Sequence, residues 1–111
     1  METNVNAKPI NPSLAVTAQI TAADVAEIAA AGFKTIICNR PDGETSDQTP
    51  FSAIKSAAET ASLSAHYLPT ITGQVSEADG RAFGEIMASV PHPVLAYCRS
   101  GTRSATMWGL S

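Results

Sequence analysis

Four short apolar runs, each followed by a stretch of helical period, restrict the fold of this chain more than any other feature. The runs are Leu14 to Ala18, Thr35 to Cys38, Ala65 to Leu68 and Val94 to Tyr97. Their length and β-branched content predict strands, and Thr35-Ile36-Ile37-Cys38 reads as a central one, buried on both faces. After the first run, Val25, Ile28, Ala29 and Gly32 fall at i, i+3, i+4 and i+7, one face of a helix. Phe51, Ile54, Ala58 and Ala61 form a second such face, and Ala82, Phe83, Ile86, Met87 and Val90 a third. Ala105, Met107, Trp108 and Leu110 begin a fourth.

Boundary signals agree with this division. Thr21 to Asp24 resembles a capping box, Gly32 is a natural stop, Thr49-Pro50 reads as an N-cap followed by a first-turn proline, Ser76 to Asp79 opens the third helix and Pro91 ends it. Gly80 and Gly84, four apart on that helix, predict close packing against a neighbour. The order is β-α-β-α-β-α-β-α. Right-handed crossovers turn it into an α/β fold with a four-stranded, mostly parallel sheet flanked by helices. Residues 1–13 are polar with two prolines and read as an N-terminal arm; 14–111 is the length of one domain. The fourth helix reaches the last residue soon after it starts, so the expectation is a domain cut from a longer chain or a minimal form of one.

The end of the last strand carries the chemistry. Cys98-Arg99-Ser100-Gly101-Thr102-Arg103-Ser104 runs from that strand through a tight turn into the fourth helix. The first N–H groups of a helix lack intrahelical partners and carry the positive end of its dipole. A loop curled into that end becomes an anion nest, and Gly101 lets the backbone curl. Arg103, where the loop becomes helix, can grip an oxyanion with two parallel hydrogen bonds; Arg99, directly after the cysteine, is expected to point toward solvent at the pocket mouth. Ser100, Gly101, Thr102 and Ser104 complete the predicted anion site. Cationic neighbours and a helix N-terminus lower a thiol's pKa, so Cys98 is expected to be a thiolate nucleophile. Cys38, inside an apolar strand, is expected to stay protonated.

A second loop, Asn39 to Thr49, leaves the same edge of the sheet, the edge where open α/β sheets bind ligands. Arg40 and Asp42 are therefore candidate substrate or supporting contacts, although Pro41-Asp42-Gly43 is also an ordinary turn signal. Three of the seven basic residues, Arg40, Arg99 and Arg103, fall in these two loops of a chain whose net charge is −3. That pattern suits a small anionic substrate and argues against nucleic-acid or anionic-membrane partners. Two distant cysteines make no disulfide framework, and His66 and His92 lack metal-ligand spacing. No metal and no cofactor are expected. The first residues carry no basic region followed by an apolar core, no apolar run is of spanning length, and a reducing cytoplasm is the expected compartment.

CRSGTRS, with four residues between Cys98 and Arg103, resembles the active-site loop of single-domain rhodaneses, which are sulfurtransferases. Tyrosine and dual-specificity phosphatases use a loop one residue longer, usually with His before the Cys, where this chain has Tyr97. The rest, notably Leu14 to Thr21 and Gly32 to Glu44, resembles the phosphatase-like domain of beta-lactamase hydrolase-like proteins. That resemblance implies a protein-tyrosine-phosphatase-like fold with a sulfurtransferase-type loop, and a covalently linked hydrolase-like domain in the full-length protein.

Three functions follow from these residues. In the first and favoured one, Cys98 takes sulfane sulfur from a donor such as thiosulfate, holds it as a persulfide, and passes it to a small thiol or cyanide. The second is hydrolysis of phosphate monoesters. There an alkoxide leaving group would need a proton from an acid, and the loop between the third strand and the third helix, Pro69 to Val75, has none. The third is a non-catalytic module that senses an anion or an oxidant through Cys98.

Overall fold

The computed structural model describes residues 5–111; the first four residues of the expected arm lie outside the described residues. Its elements in chain order are β1 (Lys8–Asn11), β2 (Leu14–Thr17), α1 (Asp24–Ala30), β3 (Thr35–Cys38), α2 (Phe51–Thr60), β4 (Ser64–Tyr67), α3 (Glu77–Ser89), β5 (Val94–Tyr97) and α4 (Thr102–Gly109). The sheet order is β1-β2-β5-β3-β4. β5 therefore lies in the middle, parallel to both neighbours, with Tyr97 level with Thr17 on one side and Cys38 on the other.

The sheet has five strands and is mixed, where the apolar pattern predicts four. Lys8–Asn11 falls within the expected arm but pairs antiparallel with β2. Its side chains are mostly exposed, so it carries no apolar run for periodicity to detect. The turn that returns it is local: the Asn11 carboxamide oxygen accepts the Ser13 N–H at 2.7 Å. Pro9 is tolerated because the strand is at the edge.

Alternation along the strands divides the core in two. Ala15, Ile36, Cys38, Leu95 and Tyr97 face α1 and α2, which bring Val25, Ile28, Ile54 and Ala58. Leu14, Val16, Ile37, Val94 and Ala96 face α3 and α4, which bring Phe83, Met87 and Met107. Helices thus cover both faces, as expected for strands that are apolar throughout. α3 comes so close to the end of α4 that a methyl group on Gly80 would collide with Leu110 Cβ and come 2.6 Å from its carbonyl oxygen.

The caps agree in part. Ser76 and Asp79 form the reciprocal box at α3: Ser76 Oγ accepts the Asp79 N–H at 3.2 Å, and Asp79 Oδ2 accepts the Ser76 N–H at 3.0 Å. At α1 only half of a box forms, with Asp24 Oδ2 accepting the Thr21 N–H at 2.8 Å. At α2 the expectation of a Thr49 cap is corrected. Pro50 holds the extended cap position, and the acceptor for the Phe51 N–H is Asp42 Oδ1, at 2.8 Å, from nine residues upstream.

Candidate functional site

Because β5 is central, Cys98 leaves the sheet at the middle of its C-terminal edge, flanked by the segments that follow β2 and β3. Cys98 is 1% exposed. Its N–H donates to the Thr17 carbonyl, and the Gln19 N–H donates to the Arg99 carbonyl, each at 3.4 Å, which fastens the loop to the segment after β2. Gly101 has φ 94°, in the left-handed region, and a Cβ there would sit 3.4 Å from the Thr17 carbonyl carbon. Glycine thus meets both demands of the turn. The Gly101 N–H reaches Cys98 Sγ at 3.0 Å.

Burial is the largest influence on the Cys98 thiol and opposes its ionisation. Backbone N–H groups of Ser104, Ser100, Gly101 and Arg103 aimed at the sulfur outweigh it, and the thiol lies below its ordinary value. Ser104 is fully buried and its hydroxyl has no hydrogen-bond partner among the described residues. Cys38 differs: burial pushes its thiol up, and its Sγ–H donates to the Arg40 carbonyl at 3.2 Å. It lies on the α1/α2 face beside the Tyr97 hydroxyl, itself buried without a well-aligned partner.

Arg103 is buried, and the end of its guanidinium is engaged. Nη1 and Nη2 donate to the two carboxylate oxygens of Glu44, at 2.6 and 2.8 Å, and Nη1 also donates to the Thr70 carbonyl at 2.9 Å. A guanidinium has five N–H groups; three go to Glu44 and Thr70, and Nε–H and one Nη2–H, the pair along its side, are not taken by either. The guanidinium also interacts with the Cys98 sulfur.

Glu44 is the residue that sequence reasoning misses. Besides Arg103, its Oε1 accepts from Arg40 Nε at 2.9 Å. The Arg103 hydrogen bonds, and then Arg40, hold its carboxyl down at about 2. Arg40 is 4% exposed and also reaches Gln19 Oε1 at 3.0 Å and Thr45 Oγ1 at 3.4 Å, so it stands behind Glu44 as part of the support for Arg103. Asp42 is turned to α2 as its cap, and its N–H donates to the Tyr67 hydroxyl at 2.9 Å. Asn39 adds a support with no signal in the sequence: its Nδ2 donates to the Leu68 carbonyl at 2.9 Å and its carbonyl accepts the Thr70 N–H at 3.0 Å, fixing the segment whose carbonyl receives Arg103.

Two clefts flank the loop. One, of about 530 Å³, lies between Thr72, Gly73 and Val75 on one side and Arg99, Ser100 and Arg103 on the other. The other, of about 760 Å³, is bounded by Lys8, Ile10, Gln19, Asp24 and Gly101. Arg99, Ser100 and Thr102 are exposed, and the Ser100 hydroxyl donates to Thr102 Oγ1 at 3.1 Å. Among the described residues, no three His, Cys, Asp or Glu side chains come together as metal ligands, and no helix is long and apolar enough to cross a membrane.

A mixed, mostly parallel sheet with a cysteine loop at its central C-terminal edge, closed by an arginine at a helix N-terminus, defines a protein-tyrosine-phosphatase-like fold. Solved structures agree. A candidate phosphatase from Neisseria meningitidis superposes with a TM-score of 0.86 at 39% identity, covering 92% of this chain and 72% of that one. P. aeruginosa TpbA in complex with pTyr, at 19% identity, shares the fold with a TM-score of 0.67, covering 96% of this chain and 62% of that one. Residues 6–111 match the family described as beta-lactamase hydrolase-like protein, phosphatase-like domain, and the chain belongs to that family. Curated relatives are the beta-lactamase hydrolase-like proteins of Agrobacterium fabrum, 41% identical over 91% of this chain, and of Xylella fastidiosa, 36% identical over 92%. The chain spans only 23% and 24% of the length of these relatives. Membership supports the phosphatase class; sulfur transfer, favoured by the loop motif, finds no support in these likenesses.

Proposed function

We propose that this domain is a phosphatase-type enzyme that hydrolyses phosphate monoesters through Cys98. The observation that carries the reading is the ring of N–H donors around the Cys98 sulfur, with the Gly101 N–H 3.0 Å away and the Arg103 guanidinium beside it, which together hold the thiol below its ordinary value. The family and the phosphatase-like neighbours support the same class. In this reading Cys98 attacks phosphorus while the loop N–H groups and Arg103 Nε–H and Nη2–H hold the phosphoryl oxygens. Arg99, Ser100 and Thr102 line the approach and Ser104 backs the sulfur. Arg40 acts through Glu44, and Asp42 through the end of α2, to hold the site's second loop. The two free cysteines accord with a reducing compartment such as the cytoplasm. In a protein as long as the relatives, a linked hydrolase-like domain is the proposed neighbour.

The test is release of inorganic phosphate from an aryl phosphate by the wild-type chain and by Cys98→Ser. Activity lost with Cys98 supports the reading; equal activity overturns it. One observation favours sulfur transfer as a second reading: Cys98 and Arg103 are separated by four residues, giving a loop one residue shorter than that of tyrosine phosphatases. A persulfide found on Cys98 by mass spectrometry after thiosulfate treatment, with no phosphate released from the ester, would establish that reading instead.

A further inference from the structure

The chemistry of the departing group follows from where the acids of this site point. The side chains lining the narrower cleft are four hydroxyls, Val75 and the two guanidiniums of Arg99 and Arg103. None of these can give up a proton at neutral pH: aliphatic hydroxyls are too weak as acids and guanidinium stays protonated. Among the described residues, the cleft wall holds no carboxyl, imidazole, phenol or ammonium group.

Nearby carboxylates are committed elsewhere. Both oxygens of Glu44 lie on Arg103, and one is shared with Arg40. Asp42 caps α2 and Asp79 caps α3. Asp24, on the wider cleft, accepts the Thr21 N–H at 2.8 Å. Asp47 accepts the Thr45 hydroxyl at 2.8 Å and is fully exposed. His92 lies at the opposite end of β5, with Nε2 2.6 Å from the Met87 carbonyl oxygen. The segment Pro69 to Val75, which forms one wall of the narrower cleft, contributes only hydroxyl, amide and apolar side chains.

We infer that this site works without a proton donor for the leaving group, so that its substrates are esters of weakly basic leaving groups, aryl phosphates rather than alkyl phosphates. The inference rests on the phosphatase reading and specifies its substrate class. The Cys98 thiolate forms a bond to phosphorus as the bond from phosphorus to the ester oxygen breaks. The electron pair stays on that oxygen, which departs as an anion toward the mouth of the cleft, where Arg99 is the available cation, and takes a proton from water afterwards. Water then attacks the phosphocysteine, its oxygen bonding to phosphorus as the S–P bond breaks. Phosphate leaves, the thiolate is restored and the proton passes to solvent. No electrons are exchanged with any other reagent.

A positioned general acid typically contributes about 10²–10⁴-fold to such a step, and most for the most basic leaving groups. The experiment measures kcat/KM for p-nitrophenyl phosphate, phenyl phosphate and an alkyl phosphate, on the wild-type chain and on Asp47→Asn and Glu44→Gln. The expected result is a steep fall across the series, about 10²-fold or more from the nitrophenyl to the alkyl ester, with the same steepness in Asp47→Asn. A flat series in the wild-type chain overturns the inference and leaves the phosphatase reading standing. So does a series that steepens only in Asp47→Asn or only in Glu44→Gln, since the altered carboxyl is then the missing acid. If no ester is turned over while Cys98 remains reactive to alkylation, the phosphatase reading falls, and the inference with it.

Discussion

Replacing Glu44 by Gln tests whether its charge aims Arg103 or merely fills space. Glutamine keeps the shape and one acceptor oxygen but removes the charge that faces Arg103 at 2.6 and 2.8 Å and Arg40 at 2.9 Å. The carboxyl is held at about 2, against an ordinary 4.5. That lowering corresponds to about 3 kcal/mol of preferential interaction with the charged form. The Glu44 side chain is 24% exposed. Solvent screening lowers the expected loss of stability at neutral pH to about 1–2 kcal/mol. A depressed carboxyl pKa stabilises the fold above the unfolded value and ceases to do so as pH falls through the folded value. The gap between wild-type and variant is therefore expected in full at pH 7, shrinking as pH drops from about 4.5 toward about 2. Urea unfolding at pH 7 and in that acid range measures it. Freed from its clamp, Arg103 loses its orientation, and kcat is expected to fall about 10–100-fold, equivalent to about 1.4–2.7 kcal/mol in barrier. KM should change less, because both arginines remain. A kcat equal to wild type in a destabilised variant would refute the positioning role, and a stability gap independent of pH would refute the charge argument.

Three further outcomes are expected. Timed alkylation against pH should modify Cys98 before Cys38, with a Cys98 midpoint below that of an ordinary thiol, since N–H donors lower one sulfur and burial raises the other; equal rates would contradict this. Arg103→Lys should lose about 2–4 kcal/mol of transition-state stabilisation by losing its fork, whereas Arg99→Lys should chiefly raise KM in a salt-sensitive way; steady-state kinetics of both variants at two ionic strengths decide, and a larger kcat loss in Arg99→Lys would reverse the assigned roles. Gly80→Ala should destabilise the domain by about 1–3 kcal/mol through overpacking against Leu110, with kcat of the folded fraction unchanged; thermal unfolding that matches wild type would show that the end of α4 yields at no cost.

The alternation of β and α elements, the buried strand ahead of Cys98 and the glycine turn into α4 could all be read from the sequence because each depends on neighbours a few residues away. Periodicity, caps and a left-handed glycine are local, and Cys98 at a strand end facing helix N–H groups follows from them. The exposed β1 left no such trace, because an edge strand with one partner needs no apolar run. Which residue holds Arg103 was not legible either. Glu44 lies 59 positions earlier in the chain, and the two meet because the sheet order puts β5 beside β3, a pairing that hydrophobic period does not encode. The same pairing aligned the loop after β3 with the loop after β5. It also sets Asp42 as the cap of α2 and Arg40 against Glu44. Local chemistry in the sequence was enough to place Cys98 among helix N–H groups; the charges and carbonyls that hold Arg103 beside it come from segments far away in the chain, and only the packed sheet determined which of them meet.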